Sequence, residues 1–164
     1  MLKIIMLFLG LLLSTSGKAC LTAPVEHRYA PVTLYMVADS VVLAPASNEK
    51  PSANKNRPST FEFIIVEYLK QNEGNESIET FKREGFPNQK KPSDFERHEG
   101  MEFWAFPYGG NSKGDGSCKL YGKFTVGEKY LIFMGVDHPK ATELIKSKDD
   151  RWYRLVNYIS KLKI

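Results

Sequence analysis

The sequence predicts a mainly β fold, a small antiparallel barrel or sandwich with long polar loops and a C-terminal amphipathic helix. Short segments rich in β-branched and aromatic residues recur along the chain, which is typical of strands. Connections rich in Pro, Gly, Asn and Ser separate them and are typical of exposed loops. Near the C-terminus the apolar residues recur at three- and four-residue steps, which indicates a helix packed on the sheet.

The first 19 residues have the layout of a secretory signal peptide. Lys3 precedes an apolar run, and the segment closes as Gly17-Lys18-Ala19, with small residues at the two positions that a signal peptidase reads. The run is shorter than the roughly 20 residues that span a bilayer, so no transmembrane span is expected. We therefore expect cleavage after Ala19, a secreted or periplasmic location, and one mature domain over residues 20–164.

The first half of the mature chain holds two predicted strand regions. Residues 32–44 (VTLYMVADSVVLA) end in a strand, while their first half fits either a strand or a short helical turn. The polar residues 45–59, with three prolines, predict an exposed loop. Residues 60–70 (TFEFIIVEYLK) alternate in polarity and predict one continuous strand. A short helical turn is expected at 78–83 within the polar stretch that follows.

The second half predicts further strands and the helix. Residues 101–106 (MEFWAF) indicate a strand, and residues 123–134 indicate two strand pieces broken at Gly127-Glu128. No convincing strand is found after Met134. The helix is predicted at about residues 140–163, with Asp149 and Asp150 placed to favour the positive end of its dipole. Its apolar stripe is Trp152, Leu155, Val156, Ile159 and Leu162.

The chain has two cysteines, Cys20 at the predicted mature N-terminus and Cys118. Because exported proteins meet an oxidising compartment, we expect the two to pair. On the loop-entropy model a bridge closing so long a loop stabilises by about 4–5 kcal/mol. Lipid attachment at Cys20 is the alternative, although Gly17 and Lys18 occupy the positions where lipoproteins carry a Leu-like and a small residue.

Charge and motifs favour neither a nucleic-acid partner nor an enzyme. The formal net charge of +4 falls to +2 once Lys3 and Lys18 leave with the leader, and the remaining basic residues are mixed with acids. The three histidines, His27, His98 and His138, lack paired ligand spacing, so we expect them to be exposed or hydrogen-bonded and expect no cofactor.

Several segments together resemble the netrin-like fold shared with the tissue inhibitors of metalloproteinases. They are a cysteine at the mature N-terminus, ADSVVLA at residues 38–44, the strand at 61–70, and Cys118 followed by FTVGEKYLIF at 124–133. The resemblance covers roughly residues 20–135 and implies a five-stranded barrel of the oligonucleotide/oligosaccharide-binding (OB) type. It also implies a Cys20–Cys118 disulfide. Because the chain is short, predicted to be exported and has a single possible disulfide, it resembles a bacterial rather than an animal protein of this family.

The resemblance implies inhibition of a zinc metalloprotease through the free N-terminus. The α-amino group and the carbonyl oxygen of Cys20 would chelate the partner protease's zinc at the position left open for water. The disulfide would hold the terminus rigid, and Leu21 would enter the protease's apolar pocket. The chain departs from the inhibitors at Thr22, where they carry a second cysteine, and in lacking their cysteine-rich C-terminal domain.

Two classes of function therefore stay open, and neither is enzymatic. One is a metalloprotease inhibitor acting through Cys20 and Leu21. The other is a secreted or periplasmic binding module in which the disulfide is purely structural and Leu21 only covers the barrel edge. In this second class the aromatic residues near position 105 either pack in the core or line a ligand face; they are Phe103, Trp104, Phe106 and Tyr108.

Overall fold

A computed structural model describes residues 31–71, 78–88, 98–105, 112–114 and 119–162 of the 164-residue chain. The fold is mainly β, with 43% strand against 22% helix, as the sequence predicts. Among the described residues, every helix is too short or too polar to span a bilayer. The predicted leader, Cys20, Leu21 and Cys118 lie outside the described residues.

Eight strands and three helices make up the described part. The helices are α1 (Pro31–Val37), α2 (Met101–Ala105) and α3 (Arg151–Lys161). The strands are β1 (Ser40–Lys50), β2 (Ser59–Ile64), β3 (Glu67–Gln71), β4 (Thr80–Pro87), β5 (Ser112–Gly114), β6 (Leu120–Phe124), β7 (Lys129–Met134) and β8 (Thr142–Leu144).

The strands form one nearly closed, barrel-like sheet in the order β5-β6-β4-β2-β1-β7-β8, with β3 also paired to β1. Strand β1 is the central element, because it pairs antiparallel with β2, β3 and β7. The pairing of β4 with β6 is parallel, whereas the other strand pairs are antiparallel. This architecture is compatible with an OB-type barrel.

The strand predicted at 60–70 is divided in two by a break at Ile65 and Val66. Strand β2 pairs with the second half of β1, and β3 pairs with its first half. The register of β1 shifts between Ala46 and Asn48 and again between Val41 and Val42. Such bulges bend a strand and raise its local twist, so they curl the sheet toward closure.

Both faces of β7 and of the first half of β1 are buried, which explains the nearly continuous apolar sequence of these segments. Alternate residues point to opposite sides of a strand. One side fills the barrel core, whose buried residues are Val42, Ala44, Ala46, Phe61, Phe63, Phe124, Tyr130, Ile132 and Leu144. The other side packs against the helices in a second, helix core that includes Leu34, Val41, Leu43, Leu131, Phe133, Trp152, Val156 and Ile159.

The segment before β1, for which a strand and a helical turn are both compatible with the sequence, is the helix α1. The ammonium group of Lys70 on β3 donates to the carbonyls of Tyr35, Met36 and Ala38 at 2.5–2.9 Å. A cation at this end satisfies carbonyls that have no partner within the helix. The chain then turns through Asp39 into β1, whose strand prediction is confirmed.

Two element predictions are wrong. The helical turn predicted at 78–83 is instead the start of β4, because residues 80–85 pair with β2 and the Phe81 ring stacks on Phe63 at 5.0 Å. The strand predicted at 101–106 is instead α2, in which Phe103 enters the helix core. Short aromatic segments fit either element, and here tertiary contacts decide.

Three boundaries also differ from the predictions. Strand β1 continues to Lys50, so only the later part of the loop predicted at 45–59 is a loop. Strand β8 lies after Met134, where the sequence shows no convincing strand. The helix predicted at 140–163 begins at Arg151, because β8 and a turn occupy the residues before it.

Candidate functional site

Helix α3 begins at a capping aspartate. The Oδ1 atom of Asp150 accepts hydrogen bonds from the amides of Trp152 at 2.9 Å and Tyr153 at 3.1 Å. An aspartate cap satisfies amides that lack a partner within the helix and favours the positive end of its dipole. The predicted role of an acidic residue at this helix start is thereby confirmed for Asp150.

The other carboxylate oxygen of Asp150 binds His98. His98 Nδ1 lies 2.7 Å from Asp150 Oδ2, and Nε2 lies 3.4 Å from Glu143 Oε2 on β8. Burial alone would lower the pKa of His98, but hydrogen bonds and charges from the two carboxylates outweigh it and raise the pKa to about 9. At neutral pH the ring is therefore an imidazolium that donates from both nitrogens.

A buried lysine completes what we call the His98 cluster, made of His98, Lys140, Glu143 and Asp150. The Lys140 ammonium donates to the carbonyl of Phe103 and lies 4.6 Å from the centre of that ring. Burial lowers the pKa of Lys140, and the Glu143 carboxylate opposes this shift. The cluster thus ties α2, β8 and the start of α3 together.

Trp104 and Arg151 are next to the His98 cluster: Trp104 is hydrogen-bonded to His98, and Arg151 follows Asp150 in the chain. The Trp104 Nε1 atom donates to the carbonyl of His98 at 2.9 Å, which fixes the indole. The Arg151 guanidinium lies 5.4 Å from the centre of the Trp104 ring and donates to the carbonyl of Glu99 at 3.3 Å. A cation–π contact at this distance holds the guanidinium near the indole and leaves further N–H groups for a ligand.

These residues form one wall of a surface groove that we call the arginine groove, lined by Trp104, Arg151, Arg154, Leu155 and Tyr158. It encloses about 490 Å³. Tyr158 is 61% exposed, and α3 turns its other side, with Trp152 and Val156, into the helix core. Within the part of the chain that the structure describes, neither Arg151 nor Arg154 forms an ion pair with a carboxylate.

The arrangement is suited to recognition of acidic groups. Each guanidinium offers paired N–H donors that match a carboxylate, while Leu155 and the Tyr158 ring offer apolar contact. The His98 cluster itself is only 1–8% exposed at His98, Glu143 and Lys140, so a bound molecule would not reach it. Across the described ranges, no group of His, Cys, Asp and Glu residues is arranged to hold a metal ion.

Most residues predicted to form a site lie outside the described residues, and the others are divided between the core and the arginine groove. Cys20, Leu21, Cys118, His27, Phe106 and Tyr108 lie outside the described residues. His98 and His138 are both buried and hydrogen-bonded, one of the two alternatives predicted for them. Of the aromatics, Phe103 packs in the core while Trp104 lines the groove. Arg151 and Arg154 are not among the predicted site residues, although their three-residue spacing on α3 is the signal that indicates a shared helix face.

Comparison with known proteins gives no relative. No protein-family model, curated protein or solved structure matches the chain.

Proposed function

We propose that this chain is an exported, non-enzymatic binding module whose arginine groove holds an acidic segment of a partner protein. One observation carries the proposal. Two guanidinium groups, Arg151 and Arg154, flank an aromatic and apolar groove, and no carboxylate of the described residues neutralises either of them. Cationic side chains that have no carboxylate partner and line a concave surface are electrostatically complementary to an anionic partner.

The groove has the composition of a protein-binding site. Trp, Tyr and Arg are the residues enriched among those that contribute most to protein–protein affinity. The groove is also built on fixed supports, because Trp104 is bonded to the His98 carbonyl and α3 is capped by Asp150. A preordered surface loses less conformational entropy on binding, so a short acidic segment can bind with useful affinity.

The proposal is tested with two short amidated peptides. One alternates glutamate with leucine, and its control carries glutamine in place of every glutamate. We expect the acidic peptide to bind in calorimetry, with an affinity that falls as salt is raised. Loss of one charged hydrogen-bonding partner in Arg154→Gln should weaken binding about tenfold.

Arg57→Gln is the matched control, because it removes an exposed arginine from a loop outside the arginine groove. It should leave the affinity for the acidic peptide within about twofold, which is the small effect expected of a distant surface charge. Equal affinity for the glutamate and glutamine peptides would contradict the proposal. So would an Arg154→Gln protein that binds as well as the unaltered one.

Metalloprotease inhibition through Cys20 and Leu21 is the alternative proposal. It is supported by the sequence, which places Cys20 directly after the predicted cleavage site, and by the resemblance to the tissue inhibitors. Mature protein should then inhibit a zinc endopeptidase, and one alanine added before Cys20 should abolish inhibition by displacing the chelating amine. Arg154→Gln should leave that inhibition intact, which separates the two proposals.

A further inference from the structure

The sheet has a gap beside the first half of β4. Strand β4 pairs with β6 only from Gly85 to Pro87, so the earlier half of β4 has no ladder on that side among the described residues. We call the opening there the seam cleft, and it encloses about 340 Å³. Its lining is Phe81, Lys82 and Arg83 of β4, Lys119 and Leu120 at the start of β6, and residues 134–137 at the end of β7 and just after it.

The floor of the seam cleft is apolar. The Phe81 ring stacks on Phe63 with ring centres 5.0 Å apart, and both Phe81 and Met134 pack against the barrel core. Phe81 and Arg83 are two residues apart on one strand, so their side chains lie on the same face. An apolar surface thus continues from the barrel core up to a guanidinium.

Arg83 is the unusual group in the seam cleft. It is partly buried, and no hydrogen bond or ion pair of its side chain occurs within the described chain. Burial lowers the pKa of Arg83, and the Asp137 carboxylate opposes the shift. The two lysines of the cleft differ, since Lys82 pairs with Glu62 at 3.0 Å and Lys119 with Glu84 at 3.5 Å. A poorly hydrated cation without a hydrogen-bonding partner is suited to an anionic ligand.

We propose that the seam cleft binds a small apolar carboxylate, with its carboxylate on Arg83 and its apolar part on Phe81 and Met134. The volume is at the lower end of the range for ligand pockets, which limits the ligand to a short chain or a single side chain. Two sources share this chemistry: a free short-chain carboxylic acid and the C-terminal carboxylate of a peptide that ends in an apolar residue.

The test uses mature full-length protein and two probes, hexanoate and an acetylated tripeptide that ends in leucine with a free carboxylate. Binding is followed by the chemical shifts of the Leu120 and Gly135 amides, and the uncharged amide of each probe is the ligand control. We expect at least one carboxylate to bind and both amides to fail. Binding by hexanoate alone identifies a free acid, and binding by the tripeptide alone identifies a peptide terminus.

Substitutions at cleft residues test whether the carboxylate binds at Arg83. Arg83→Gln should weaken binding at least tenfold, and Arg83→Lys should recover only part of it because it lacks the planar fork. Asp137→Asn should tighten binding by removing a negative charge that competes with the ligand. Arg57→Gln, which removes an exposed arginine outside the seam cleft, is the matched control and should change affinity less than twofold. Failure of both probes to bind, equal binding of the amides, or unaltered affinity in a folded Arg83→Gln protein would overturn the proposal.

Discussion

The His98 cluster and the seam cleft both remove charges from water, but they do so with opposite results. In the cluster the His98 imidazolium contacts two carboxylates, and the Lys140 ammonium donates to a carbonyl. In the seam cleft Arg83 has no such partner among the described residues, and Asp137 acts on it only through its charge. One region has satisfied its charged groups internally, while the other has left one unsatisfied.

This difference separates a structural role from a binding role. A buried charge is tolerated when hydrogen bonds and an opposite charge compensate for lost hydration. Where no such hydrogen bonds compensate, the buried charge raises the free energy of the folded protein, and a ligand of opposite charge lowers it again on binding. Mutations in the His98 cluster should therefore lower the unfolding free energy, whereas mutations in the seam cleft should mainly change ligand affinity.

The largest effect is expected for Asp150→Ala, which removes both the cap of α3 and the stronger partner of His98. We expect unfolding free energy to fall by about 3–5 kcal/mol, because a buried imidazolium loses the nearer of its two carboxylate partners and a helix loses its cap. Urea denaturation measures the change. Asp149→Ala, at an exposed neighbour, should cost less than about 0.5 kcal/mol. Equal losses of unfolding free energy in the two variants would mean that Asp150 stabilises the fold no more than an exposed aspartate does.

The second prediction concerns pH. The pKa of His98 is raised from 6.5 to about 9 in the folded protein, so its contribution is complete below pH 6.5 and is lost as the pH rises through 9. Over that window the unfolding free energy should fall by an amount on the order of 3 kcal/mol. In His98→Gln the same urea titrations should show a much flatter pH dependence. An unchanged pH dependence in that variant would show that His98 is not the titrating group.

A smaller effect is expected at Gly135, on the wall of the seam cleft. Its φ is +77°, and a Cβ there would lie 2.1 Å from Asp39 Oδ2, so Gly135→Ala should destabilise by about 2–3 kcal/mol. Gly127, with φ of +91°, has nothing within 4 Å of a Cβ. Gly127→Ala should therefore cost only about 1 kcal/mol for its backbone conformation. Thermal unfolding of the two proteins compares them, and equal costs would mean that Asp39 moves aside freely.

The smallest effect on stability, and the sharpest contrast with Asp150, is expected for Arg83→Met. Replacing a cation that has no hydrogen-bonding partner among the described residues by an apolar side chain of similar length should leave the unfolding free energy unchanged or raise it by about 1 kcal/mol. Urea denaturation with an unchanged slope checks this. A loss above about 1 kcal/mol would mean that Arg83 is as well paired as the residues of the cluster.

The sequence predicts best the elements whose burial is regular. Strand β7 and the first half of β1 have two buried faces and hence apolar runs, and α3 has a clear helical period with an aspartate at its start. Helix α2 and strand β4 are missed because their local sequence is ambiguous. Phe103 and Trp104 become helical through contacts with distant residues, and β4 is a strand because β2 pairs with it.

The candidate sites are less visible in the sequence than the fold. His98 is 45 residues from Glu143 and 52 from Asp150, and no local spacing brings it to them. Arg83 sits in a polar segment that resembles an ordinary exposed turn, so its position beside an apolar floor follows only from the pairing of β4 with β2. Helix spacing places Arg151 and Arg154 on one side of α3, but only the position of α2 turns that side into a groove.

The His98 cluster also has a consequence for biosynthesis. His98 is hydrogen-bonded to residues 45 and 52 positions further along the chain, so a polypeptide made from its N-terminus cannot form these contacts until residues 143 and 150 have been synthesised. Contacts of such long sequence separation form late and slowly. A nascent chain that ends before residue 140 therefore lacks the Lys140 contact to α2 and both carboxylate partners of His98, so the buried charges of the cluster meet only after residues 140–150 have been made.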